Sequence, residues 1–249
     1  MKPATQHTAC SIALGLGLLM SAPGHAANYV VLGDTSEPDG ISGFLGTPHL
    51  INVGEFSVDY EPVSTGTQAH GSGSRTLTTY AGIRGITWSE DKDKPCDIVV
   101  DAKELVSGRQ VGDSNTAVMA KDGHFEICKG SKGNTKVVEF GNSKHYVHGI
   151  GVCTTDKKDS TENRLKGIRI YPTEVKDDGT LNRMSNYVQN KHTNCNDKYW
   201  RKPVNCPTGY IASGLRVHHR DGYFTGIGLK CRKVELGNSP NKSDVSTTR

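Results

Sequence analysis

One six-residue pattern, apolar-x-Gly-[Ile/Leu]-x-apolar, recurs along the chain. It reads Ile83-Arg-Gly85-Ile86-Thr-Trp88, Val147-His-Gly149-Ile150-Gly-Val152, Leu165-Lys-Gly167-Ile168-Arg-Ile170 and Phe224-Thr-Gly226-Ile227-Gly-Leu229, with a weaker copy at Ala212-Ser-Gly214-Leu215-Arg-Val217. The last four form two pairs, 147–152 with 165–170 and 212–217 with 224–229. The polar loops Cys153–Arg164 and His218–Tyr223 join them. A hairpin repeated within one chain indicates a pseudo-symmetric β architecture. Glycine inside a strand marks a bulge or a place where another backbone passes close. Glycine at one fixed place in each copy therefore predicts close packing around a shared axis.

The rest of the chain reads as short strands between Gly-rich turns. Strands are expected at 28–32, in two pieces within 49–63, and at 76–88, 97–100, 116–119, 124–128 and 136–140. Residues 33–47 and 64–74 are polar loops. Only Asp101–Val106 (DAKELV) has a helix-forming composition. The fold class is all-β: a disulfide-stapled β-prism or β-sandwich built of repeated Greek-key hairpins. The expected division is a leader over 1–26, N-terminal strands and polar loops over 27–75, an all-β repeat domain over 76–236 and a disordered tail over 237–249.

Lys2, the apolar run Ile12–Met20 and the small residues Gly24 and Ala26 make the three parts of a secretory signal, cut after Ala26. The apolar run is well short of the ~20 residues needed to span a membrane. No later segment approaches that length, so no membrane insertion is expected. Removing the leader takes away Cys10 and leaves six cysteines: Cys96, Cys128, Cys153, Cys195, Cys206 and Cys231. An even count in an exported chain reads as disulfides, here with sequential pairing, 96–128, 153–195 and 206–231. Each bridge would be worth about 3–4 kcal/mol in the chain-entropy picture. No C-x-x-C is present, so no metal centre and no cofactor is expected. The localisation is secreted or periplasmic.

The stretch from Cys206 to Cys231 (CPTGYIASGLRVHHRDGYFTGIGLKC) resembles a Greek-key unit of the jacalin-like and vitelline-membrane-outer-layer proteins. The resemblance extends over about residues 140–235. It implies a β-prism of three such units and carbohydrate binding, which many members share. The family's late Gly-x-x-x-Asp sugar loop has no counterpart here.

The expected ligand-binding residues come from the loops. The turn His218-His219-Arg-Asp221-Gly-Tyr223 combines aromatic, carboxylate and imidazole groups, the types that match a sugar's C–H face and hydroxyls. The same residues also read as a plain hairpin turn, with Asp221-Gly222 chosen for positive φ. Trp200, among Tyr199, Arg201 and Lys202, offers a stacking face or a packing partner for a disulfide. In the loop 154–163, Asp156, Asp159, Glu162 and Asn163 are oxygen donors. Their spacing does not fit a calcium loop, and Lys157 and Lys158 oppose a cation. A formal charge of +4 over 249 residues is too weak for a nucleic-acid partner. No G-x-S-x-G, H-E-x-x-H or P-loop occurs, so no enzyme is expected. The leading reading is a secreted, lectin-like protein binding surface or matrix glycans. The alternative is a non-catalytic structural or protein-interaction module of the envelope or periplasm, and the third is a secreted hydrolase with a carboxylate pair from distant positions. Nothing in the sequence sets an oligomeric state.

Overall fold

A computed structural model describes residues 29–53, 56–60, 73–77, 81–105, 124–130, 132–142, 144–155, 163–237 and 243–244. The leader 1–26, the strand expected at 116–119 and the loop residues 64–72 and 156–162 lie outside them, as does the tail apart from residues 237, 243 and 244. In chain order the strands are β1 (Tyr29–Ser36), β2 (Ser42–Gly43), β3 (Thr47–Asn52), β4 (Phe56–Tyr60), β5 (Gly73–Leu77), β6 (Ala81–Asp91), β7 (Lys94–Glu104), β8 (His124–Glu126) and β9 (Thr135–Glu139). There follow β10 (His145–Thr154), β11 (Leu165–Val175), β12 (Leu181–Arg183), β13 (Gln189–His192), β14 (Val204–Asn205), β15 (Tyr210–Arg220), β16 (Tyr223–Gly237) and β17 (Ser243–Asp244).

Three long antiparallel hairpins, β6–β7, β10–β11 and β15–β16, each found one sheet. The sheets run β8-β7-β6-β9, β12-β11-β10-β14 with β13 also on β11, and β1-β16-β15-β3 with β2 also on β16. A small sheet, β17-β5-β4, stands beside them. Strands β6, β10 and β15 contact one another pairwise, which closes the three sheets into a three-sided prism around one core. Ile83, Ile86, Trp88, Val147, Ile150, Val152, Ala212, Leu215 and Val217 are all buried in that core.

The hexapeptide has a geometric cause. Its first and fourth residues are three apart, so a regular strand would send them to opposite faces. In all five copies the register slips at the second residue. Arg84, His148, Lys166, Ser213 and Thr225 are each the extra residue of a β-bulge. The bulge resets the alternation, and the first, fourth and sixth residues all face inward. The glycine beside it lies close against a neighbouring chain. A methyl on Gly85 would meet Glu139 Cβ at 2.7 Å, and one on Gly226 would meet Phe44 O at 2.7 Å.

The N-terminal strands belong to the sheet of the last hairpin. β1 pairs with β16 and β3 with β15, so the chain's start flanks its end on both sides. One expectation is corrected. Residues 101–104 are not helical but end β7, where Ala102 pairs with Ile83 and is fully buried. A strand that fills the core there outweighs the helix propensity of a short segment. Within the tail, Ser243–Asp244 forms β17 against β5. The bridges are Cys96–Cys128, Cys153–Cys195 and Cys206–Cys231, spanning 32, 42 and 25 residues.

Candidate functional site

Arg84, the bulged residue of β6, is 2% exposed. Its guanidinium donates to three carbonyls: Nε to His145 O (3.2 Å), Nη2 to Phe140 O (2.6 Å) and Nη2 to Asn142 O. A buried cation is tolerated when its donors are met, and here they fix the corner between β9 and β10. Against that corner, Asn182 Nδ2 donates weakly to Glu174 Oε2 of β11 (3.4 Å). The 3-10 turn Ser185–Tyr187 follows, with Met184 just before it and Gln189 at the start of β13.

These segments enclose a cavity of about 360 Å³ lined by Phe140, Gly141, Asn142, His145, Glu174, Met184, Tyr187 and Gln189. Its aromatic side is continuous. The Phe140 and His145 rings meet edge-on at 6.3 Å, and the His145 and Tyr187 rings lie 5.9 Å apart. Tyr187 is 54% exposed, unusual for a side chain of its size that touches another ring. The lining also holds two amides, Asn142 and Gln189, and the Glu174 carboxylate. Apolar rings beside a few placed donors and acceptors form a small-molecule site. This arrangement can cover the C–H face of a polyhydroxylated ring and hydrogen-bond its hydroxyls.

The residues expected from the sequence lie elsewhere. Asp221 (φ 52°) and Gly222 (φ 77°) make a two-residue turn of the left-handed type that suits a twisted hairpin. Beside it, Tyr223 stacks on Arg164, 3.8 Å away, with Lys94 5.7 Å from the ring. Lys94 and Lys166 both pair with Asp93, so the starts of β7, β11 and β16 meet at one end of the prism. The hydrogen bond from Lys166, with one from Lys94, holds the Asp93 carboxyl down at about 2. His218 is 5% exposed; its Nδ1 lies 3.2 Å from Gly46 O, and burial lowers its pKa. His219 is half-buried against the Phe125 ring at 5.4 Å. Trp200 carries the Arg169 guanidinium 4.0 Å above its ring and the His192 ring at its edge (6.2 Å). Its backbone bridges to Cys153, so it packs beside a disulfide-bonded strand. Asp221 and Tyr223 thus share one turn, while His218 points inward and Trp200 is held on the β10–β11 sheet. Asn163 is buried.

Sequence reasoning missed the whole cavity. Its lining comes from three separate segments and has no local spacing. The one available signal was Tyr187, an isolated aromatic in the polar stretch 176–191.

No protein-family model matches the sequence, and no curated protein does. Among solved structures the chain is similar to the Calystegia sepium agglutinin, at 16% identity over 80% of this chain and 99% of that one, with a TM-score of 0.39. It is also similar to single-chain recombinant jacalin, at 10% identity, 84% and 97% coverage and a TM-score of 0.41. A mannose-specific jacalin-related lectin from Morus nigra, solved with mannose, is 9% identical over 85% and 98% of the two chains, with a TM-score of 0.38. The prism described above stands on this chain's own strand pairings.

Proposed function

We propose that this chain is an exported carbohydrate-binding protein whose saccharide site is the cavity between the β9–β10 corner, β11 and the turn at Tyr187. The observation that carries this reading is the half-exposed Tyr187 ring forming one wall of a 360 Å³ cavity that also presents Asn142, Glu174 and Gln189. Three disulfides support export. No helix among the described residues is long and apolar enough to cross a membrane. The same reading takes residues 1–26 as the export signal and the three hairpins as copies of one unit. A second reading puts the contact surface instead at the turn of Asp221 and Tyr223, favoured by the exposure of Asp221 at a hairpin tip.

A glycan array probed with exported, oxidised protein tests this. Wild type is expected to bind saturably. Tyr187→Ala is expected to lose tenfold or more, about 1.4 kcal/mol, while the Asp221→Ala/Tyr223→Ala double variant binds as wild type. Loss only in the double variant moves the site to the turn. No binding by folded wild type overturns the glycan reading in favour of a structural or protein-interaction module.

A further inference from the structure

On the sheet of the first hairpin, β7 and β8 pair with Asp97 opposite Glu126 and Val99 opposite His124. Alternate residues share a face. Ile98 is buried and Phe125 packs against the core, so Asp97, His124 and Glu126 project from the opposite face. Two carboxylates placed directly across a strand pair repel each other unless a cation joins them. Here they are brought together with an imidazole. His124 Nε2 is 2.6 Å from Asp97 Oδ1, and one donor atom from each of the three residues lies within 4.8 Å of the others.

Two further observations single out this cluster. The Asp97 side chain is only 7% exposed, so one carboxylate has been taken largely out of water. The Cys96–Cys128 bridge brackets the cluster: Cys96 precedes Asp97, Cys128 follows Glu126 by two residues, and Ile127 N donates to Cys96 O at 2.8 Å. The bridge and this bond fix the backbone of the two strands that carry the donors. The positive charge that the carboxylates require comes from Lys132. Its ammonium is 2.8 Å from Asp97 Oδ2 and 2.8 Å from Glu126 Oε2, on a side chain 40% exposed. A long, solvent-facing stem can swing away.

We propose that Asp97, His124 and Glu126 form a binding site for a divalent transition metal of the zinc type, which Lys132 covers until the ion displaces its ammonium. Zinc takes imidazole nitrogen and carboxylate oxygen at about 2.0–2.2 Å in a tetrahedron, which sets ligand atoms roughly 3.3 Å apart. The present spacing, from 2.6 Å to under 4.8 Å, brackets that value. Water would supply the fourth ligand. One nitrogen and few oxygens disfavour calcium and magnesium, which want six or more oxygens or an octahedral water shell. The site is independent of the saccharide cavity, whose lining shares none of its residues.

Titrating oxidised, untagged exported protein with zinc, and with cobalt(II) for its visible spectrum, tests the site. All six cysteines of the three bridges are then withheld as ligands. One equivalent is expected to bind, with a tetrahedral cobalt spectrum and a zinc-dependent rise in Tm. Glu126→Gln, which keeps shape at an exposed position, and His124→Ala are each expected to weaken binding tenfold or more. Lys132→Ala is expected to tighten it. Absence of stoichiometric binding in folded wild type overturns the proposal. So does binding that both ligand variants leave unchanged, or binding that Lys132→Ala weakens.

Discussion

His148 is the bulged residue of β10 and is 9% exposed. Burial, with the nearby Arg183 charge, pushes its pKa down to about 4. Above the ordinary value of about 6.5 the imidazole is neutral whether the chain is folded or not. As pH falls from 6.5 towards 4 the unfolded chain takes up a proton that the fold resists. Stability is therefore lost across that window, by at most about 3 kcal/mol. His218, buried on β15, is shifted in the same direction and adds to the loss. Asp93 acts in a lower window. Its contribution is present above about 3.8 and disappears as pH drops through about 2. Urea unfolding at pH 7 and pH 4.5 should show a large fall for the native chain and a smaller one for His148→Gln. An equal fall in both would contradict the role given to His148.

At the scale of the element, the hexapeptide is the signature of a bulged strand. Its glycine is required where the paired strand comes close. A methyl on Gly167 would meet His192 Cβ at 2.5 Å and the Lys191 carbonyl at 2.8 Å, which forces β13 off β11. Gly167→Ala should cost about 1–3 kcal/mol as an overpacked site. Gly151, the fifth residue of its hexapeptide, meets nothing closer than 3.7 Å. Gly151→Ala should stay within about 0.5 kcal/mol. Denaturation midpoints decide it; equal effects would show that the glycine position carries no packing constraint. This explains what the sequence disclosed. Hairpins 147–170 and 212–229 were legible because bulge, close-packed glycine and inward apolar residues fall within six positions. Residues 101–104 were misread because their strand state depends on pairing with β6, where Ala102 meets Ile83.

The whole molecule is held by the contact of three hairpins and by bridges at their margins. Cys206–Cys231 ties the chain after β14, on one sheet, to β16 on another, and both cysteines are buried. Opening this 25-residue loop in Cys206→Ala/Cys231→Ala should cost about 3.5 kcal/mol of unfolding free energy by loop-closure entropy. An unchanged urea midpoint would contradict that. At this scale the prism was legible from the repeats, but the cavity was not. Phe140, His145, Glu174 and Tyr187 line one cavity although they lie far apart in the sequence, and the Arg84 guanidinium holds the 140–145 corner that carries the first two.

The measurement that tests the proposed saccharide site most directly is amide chemical-shift mapping of the oxidised protein titrated with a glycan selected on the array. The account predicts saturable shifts concentrated at 140–145, 174 and 184–189, with little change at 218–223. Shifts centred on the Asp221–Tyr223 turn, with the cavity silent, would contradict it.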